Sequence, residues 1–251
     1  MSDFPPILYK LFEALPRQGP GSNTTTRHVL SLLPDRPARP TILDVGCGSG
    51  MQTLELARLT RSTIIAVDNN RPVLQTLQRH AIQQQLYQYI TIVQGSMFDL
   101  CFAPQTFDLI WAEGSIFIMG FEQGLTAWHP LLKPGGFLVV SELTWLKPNP
   151  PADICTYWEQ EGADIRTIEE NLHRIAQTDG YQCLCHVVMP QADWWDNFYH
   201  PMDRTIQKMR QTYQDDPDAQ AGLDQSQREV EMHRAYGDYY GYVFYIMQWT
   251  P

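Results

Sequence analysis

Nine consecutive residues carry the strongest chemical signal in the chain: Ile42-Leu43-Asp44-Val45-Gly46-Cys47-Gly48-Ser49-Gly50. An apolar run carries an acid, three glycines alternate, and a helix-like pattern begins at Met51. Glycine has no Cβ, so the main chain there adopts unusual φ/ψ and lets a ligand come close. Strand, glycine turn and helix N-terminus in succession make a nucleotide-type cradle, with backbone N–H groups expected to face the ligand. The dinucleotide fingerprint G-x-G-x-x-G would need glycine where this chain has Met51. The observed spacing is G-x-G-x-G, preceded by Asp44. A second acid, Asp68, ends the β-branched run Thr63-Ile64-Ile65-Ala66-Val67, 18 residues past Gly50. That is close to the ~20 residues at which the acid ending a second strand meets a ribose. A carboxylate there accepts hydrogen bonds from both hydroxyls. A third acid, Glu113, follows Phe107-Asp108-Leu109-Ile110-Trp111-Ala112, the expected fourth strand. It stands at the carboxyl edge, where ligands of open α/β sheets gather.

The acid followed by G-x-G-x-G resembles the first motif of class I S-adenosylmethionine-dependent methyltransferases. Three further motifs extend the resemblance over about residues 17–145. It implies that Asp44, Gly46, Cys47, Gly48 and Gly50 form the cofactor cradle and that Asp68 and Asn69 serve the ribose. Ser96 and Met97, after the third strand Tyr89 to Gly95, match the positions that flank the adenine, although Asp99 departs from the simplest pattern. Leu132-Lys133-Pro134-Gly135-Gly136, before the apolar run Phe137 to Val140, is typical of the family and acts physically as a sharp turn. Arg17-Gln18-Gly19-Pro20-Gly21-Ser22 is similar to the entry segment of a group of bacterial methyltransferases in which the N-terminal segment often folds over the cofactor. That similarity implies contacts from Arg17 and Gln18, with Arg17 facing the methionine carboxylate.

The chemistry so implied is methyl transfer from S-adenosylmethionine to a small-molecule acceptor, by in-line displacement at the sulfonium methyl, leaving S-adenosylhomocysteine. Orientation alone supplies on the order of 7–11 kcal/mol of such a barrier in favourable systems. A base is needed only when the nucleophile carries a proton that must leave. Glu113 and His200 are the candidates for that role, and Glu113 has an alternative as partner of the cofactor's amine or of a backbone N–H. Two other readings stay open: a cofactor-binding module without turnover, and an NAD-linked oxidoreductase, which Met51 weakens.

The elements that must position these residues follow from periodicity. Strands and helices alternate from residue 41, so the expected fold is α/β. It is a Rossmann-like, mostly parallel seven-stranded sheet with helices on both faces and an antiparallel last strand. The whole chain, 1–251, reads as one domain. Residues 1–33 are its helical lid, with apolar Phe4, Ile7, Leu8, Leu11, Phe12 and Leu15 at helical spacing. The core comprises 41–189 and 239–251. The ends of the last hairpin, Tyr181 to Met189 and Tyr239 to Trp249, are separated by residues 190–238, too long for an ordinary loop and expected to be a helical cap. The cap opens on Trp194, Trp195, Phe198, Tyr199 and His200, expected to wall the acceptor pocket together with Glu113.

Composition limits the partners. The net charge of −10 falls in residues 141–251, with 8 basic against 18 acidic residues, while 1–140 hold 10 of each. Such a surface disfavours nucleic acid, and carboxylates in the cap favour a neutral or cationic acceptor over a phosphate. Five cysteines without a C-x-x-C pattern read as reduced thiols of a cytoplasmic protein, not as a disulfide frame or metal site. No apolar run approaches the ~18 residues of a membrane span.

Overall fold

The computed structural model describes residues 5–250; Phe4, expected in the first helical stripe, lies outside them. Among the described residues there are eight strands: β1 (Ile42–Val45), β2 (Ile64–Asp68), β3 (Ile90–Gln94), β4 (Phe107–Ala112), β5 (Leu132–Trp145), β6 (Arg166–Thr167), β7 (Tyr181–Val188) and β8 (Tyr240–Trp249). They form one sheet in the order β3-β2-β1-β4-β5-β8-β7, with the two-residue β6 paired to the end of β5. Only β8 runs antiparallel, against both β5 and β7. The expected seven strands are therefore present, and β6 is an addition. Strand order reverses between β1 and β4, which opens a crevice beyond their carboxyl ends.

Helices α1 (Pro6–Glu13) and α2 (Asn23–Ser31) precede the sheet. Then come α3 (Met51–Thr60), α4 (Arg71–Gln83), α5 (Phe121–Trp128), α6 (Ala152–Gln160) and α7 (Ile168–Gln177). The inserted segment holds the short α8 (Gln191–Trp194), a π-helical turn Trp195–Tyr199, α9 (His200–Thr212) and α10 (Pro217–Tyr236). It is the helical cap that its length implied. Among the described residues no helix is long and apolar enough to cross a membrane.

Local chemistry accounts for these elements. β1 is buried at every position, Asp44 included, as a central strand of a parallel sheet covered on both faces requires. Ile42 belongs to the core on one face, with Trp111 and Val139, and Leu43 and Val45 to the core on the other, with Ile110 and Val140. Ser22 caps α2 by accepting from the Thr25 N–H at 3.1 Å. Thr167 and Glu170 close a capping box on α7. Helix α6 went unread in the sequence because three prolines precede it, yet Pro151 occupies its N-cap and Ile154 and Tyr157 bury its inner face. Helix α1 lies against the cap, where Gly222 allows close approach: a Cβ there would stand 2.5 Å from Ile7 Cγ2.

The turn from β1 into α3 depends on glycine. Gly46, Gly48 and Gly50 have φ of 71°, 54° and 79°, in the left-handed region that costs other residues roughly 1–2 kcal/mol. At Gly50 a Cβ would also fall 2.1 Å from Leu77 Cδ1 of α4. Gly50→Ala is expected to destabilise the protein by about 1–3 kcal/mol. In a Leu77→Ala background its additional cost should shrink to the backbone part, as denaturant unfolding of the four-membered mutant cycle will show.

Candidate functional site

The glycine turn, the end of β2, the end of β4 and the segment between α1 and α2 meet at the crevice. Asp68 uses both carboxylate oxygens on backbone: Oδ2 accepts from the Gly48 N–H and Oδ1 from the Asn70 N–H, each at 2.9 Å. Each oxygen has a further lone-pair site, so the group can still receive two hydroxyls. Asn70 stands at the α4 N-cap without a side-chain cap bond, and Asn69 is exposed beside Asp68.

The N–H groups of the turn do not face outward as the motif suggested. Gly46 and Cys47 donate to Val67 O, and Gly50 donates to Cys47 O. Ser49 N–H donates to Gln18 Oε1 at 2.7 Å, while Gln18 Nε2 donates back to Phe12 O and Leu15 O. Gln18 thus rests on the turn; a Cβ on Gly48 would approach its Oε1 at 2.7 Å. Asp44 points beneath the cradle and is fully buried. Its Oδ2 accepts from Thr53 Oγ1 at 2.5 Å and its Oδ1 from Gln52 Nε2 at 3.4 Å. Burial pushes its carboxyl up to about 7 against those two hydrogen bonds. Its place is that of a brace between β1 and α3. Cys47 is buried, and burial likewise pushes its thiol up.

Glu113 is buried and fully engaged. Oε1 accepts from Arg17 Nη2 at 2.5 Å; Oε2 accepts from Thr26 Oγ1 and Trp111 Nε1, both at 3.2 Å. Burial raises its carboxyl and the Arg17 charge opposes the rise. Gly21 leaves room for this pair, since a Cβ there would lie 2.3 Å from Glu113 Oε1. The second donor of Arg17, Nη1, is buried without a partner. From the same segment, Thr25 Oγ1 donates to Asp193 Oδ2 at 2.5 Å, which ties lid to cap.

Two cavities adjoin here. A cleft of about 60 Å³ lies between the glycine turn, Arg17, Gln18 and Glu113. A larger one of about 620 Å³ reaches under the cap, between Phe12, Leu143, Trp158, Trp194, Phe198 and Tyr242. Both are lined by Gln18, Gly19, Pro20 and Gly114. Met97 is half-buried beside the turn, its Cε 3.5 Å from where a Cβ on Gly46 would stand, and Ser96 is exposed with its Oγ accepting from the Phe98 N–H.

The cap residues divide. Trp194 walls the larger cavity and also packs, stacked between His233 and Tyr242 at centroid distances of 4.6 and 5.1 Å. Trp195, Tyr199 and His200 are not part of that lining. His200 stands out from the cavity, its side chain 54% exposed and Nδ1 3.8 Å from Asp196 Oδ1. The structure brings two other groups to the cavity that the sequence reading passed over, Glu142 on β5 and Glu229 on α10. Burial pushes Glu142 up to about 8 and Glu229 to about 7.

Residues 42–136 match the family described as a methyltransferase domain. A sterol 24-C-methyltransferase of Clavispora lusitaniae is 32% identical over 102 residues, which is 40% of this chain and 27% of that protein. The chain therefore spans about a quarter of that curated relative's length. Among solved structures, an S-adenosylmethionine-dependent methyltransferase from Thiobacillus denitrificans, in complex with S-adenosyl-L-homocysteine, superposes with a TM-score of 0.85. It is 19% identical and covers 98% of this chain and 99% of its own. A methyltransferase from Geobacter sulfurreducens, in the same type of complex, gives 0.83 with 19% identity and the same coverage. The fold is that of S-adenosylmethionine-dependent methyltransferases.

Asp44, Glu142 and Glu229 hold their protons more tightly folded than unfolded. Through these three groups the folded state binds more protons, so their contribution to stability falls as pH rises from about 4, the free-carboxyl range, to about 8, while His233, lowered by burial to about 4, opposes part of that fall below about pH 6.5. Thermal melts at pH 5 and pH 8 should differ by at least about 3 °C, at roughly 2–4 °C per kcal/mol for this length. Glu142→Gln with Glu229→Gln should reduce that difference.

Proposed function

We propose that the chain transfers a methyl group from S-adenosylmethionine to a small molecule, as a bacterial-type methyltransferase with the Arg17–Ser22 entry segment. The observation that carries this reading is the pairing of the two cavities. A cleft bounded by the glycine turn and an unpartnered arginine donor opens beside a larger aromatic-walled chamber. The matched methyltransferase domain and the shared fold support it.

The residues present suit the cofactor. Arg17 Nη1 is a buried donor lacking an acceptor, and a carboxylate would supply one in a charge-assisted bond. Asp68 retains two acceptor sites that ribose hydroxyls would use, and Met97, beside the glycine turn, with Ser96 would serve the adenine. Bound there, S-adenosylmethionine supplies an electrophilic methyl on a sulfonium. The protein's part is then orientation and dryness. Glu113, held by Arg17, Thr26 and Trp111, fixes the lid over the cleft. Gly114, with its φ of 66° and the Tyr242 ring 3.8 Å from a Cβ built there, forms the seam through which the acceptor atom faces the cleft. The cap keeps water out, which strengthens every fixed dipole inside.

The chain acts in this reading as one unit: lid 1–33, core 41–189 with 239–251, and cap 190–238. Carboxylates in the larger cavity favour a neutral or cationic acceptor over a phosphate, and the acidic second half disfavours nucleic acid. Five free cysteines suit a cytoplasmic setting.

Calorimetric titration with S-adenosylhomocysteine tests the reading, with NAD as the competing ligand. Asp68→Ala should weaken S-adenosylhomocysteine binding by about 1–3 kcal/mol, and Gly48→Val should abolish it. Hydrogen exchange over residues 9–22 should slow when the ligand is added. Binding of NAD in its place, or full affinity in a folded Asp68→Ala, would remove the assignment.

A further inference from the structure

The larger cavity has the chemistry of a cation site. Five carboxylates line it against a single guanidinium, that of Arg174. Arg174 is already spent, on Glu122 at 2.5 Å and Asp164 at 3.1 Å. Glu142 is the group without a counterpart. It is 5% exposed, its Oε2 has no hydrogen-bond partner, and it lines the cavity. A carboxyl so deep and unpaired is costly unless a charge or donor meets it. Its surroundings supply no donor to Oε2 and only the charge of Arg174 from α7, which Asp164 and Glu122 oppose. Glu229 faces the same space from α10 and accepts only from Tyr199 Oη, at 3.0 Å. Burial first, and then the charges of Glu142 and Glu229, hold the Tyr242 phenol above its usual range, and all three groups line the cavity. Tyr242 is stacked on Trp194, which adds aromatic rings to the charge. Aromatic faces and unpaired carboxylates together attract ammonium groups and repel anions.

We infer that the methyl acceptor, on the methyl-transfer reading above, is an organic amine whose ammonium is held by the Glu142 carboxylate beside the rings of Trp194 and Tyr242, as a recognition handle, while another atom of the same molecule, one with a free lone pair, forms the new bond to the methyl as the sulfonium bond breaks. A cation arriving there favours the ionised carboxylate. Glu142 then gives up its proton on binding at neutral pH, and the complex releases a proton to solvent.

The experiment is calorimetric titration of the full chain with three probes of one shape: 2-phenylethylamine, 2-phenylethanol and phenylacetate. Each is run with and without S-adenosylhomocysteine, in buffers of different ionisation enthalpy. The amine should bind at least about tenfold more tightly than the alcohol, the scale of one charge-assisted hydrogen bond, with phenylacetate weakest. Its enthalpy should change with the buffer, in the sense of proton release. Glu142→Gln should abolish the preference and the buffer dependence while leaving the alcohol's affinity intact, and Glu142→Asp should restore part of the preference. Equal affinity for amine and alcohol, binding of neither, or a preference that survives Glu142→Gln would overturn the inference. Proton release is read in the unaltered protein, so its absence overturns the inference even if the variants do not fold. An amine preference without affinity for S-adenosylhomocysteine would overturn methyl transfer, and the acceptor role with it, while keeping the cation site. Affinity for S-adenosylhomocysteine without an amine preference would do the reverse.

Discussion

The ion pair between Arg17 and Glu113 is the contact on which the rest of the site depends. It joins two chain segments 96 residues apart, in a place where neither charge reaches water. Desolvating two charges costs several kcal/mol each, and their attraction offsets that only when the remaining valences are satisfied. Glu113 meets the condition through Trp111 and Thr26. Arg17 meets it in part, with Nη1 left without a partner. The same pair sets the height of the lid over the glycine turn, the position of α2 through Thr26, and the close passage of Gly21.

Around that contact two cavities are built from different material. The N–H groups of the glycine turn are engaged within the protein, and Arg17 and Asp68 stand at its rim with polar valences to spare. The chamber beyond Gly114 is built from other material, aromatic rings of the cap and carboxylates of β5 and α10. The core supplies the first half of the site and the insertion much of the second. The matched family region ends at residue 136, before β5 is complete and well before the cap.

What the sequence made legible follows the same division. Strand ends and glycine spacing depend on near neighbours in the chain, and Asp68, Gly46, Gly48, Gly50 and the strands that carry them could be read from them. Asp44 showed as an acid beside the motif, but only the fold reveals that its carboxylate turns under the strand to Thr53. Gln18 and Arg17 were legible through resemblance alone, since their partners lie 31 and 96 residues away. The cap was hardest. A π-helical turn at Trp195–Tyr199 shifts the helical phase by i→i+5 bonding, so a 3.6-residue period misassigns which aromatic residues face inward. Phe198 lines the cavity and His200 is carried out to solvent. Glu142 gave no local signal because an acid in an apolar strand is ordinarily read as its exposed side; Ser141, Glu142 and Leu143 are all buried here. Helix α6 was masked by the prolines that start it.

The stretch Gln18-Gly19-Pro20 lines both cavities. A single strap that walls two compartments cannot slacken for one without loosening the other.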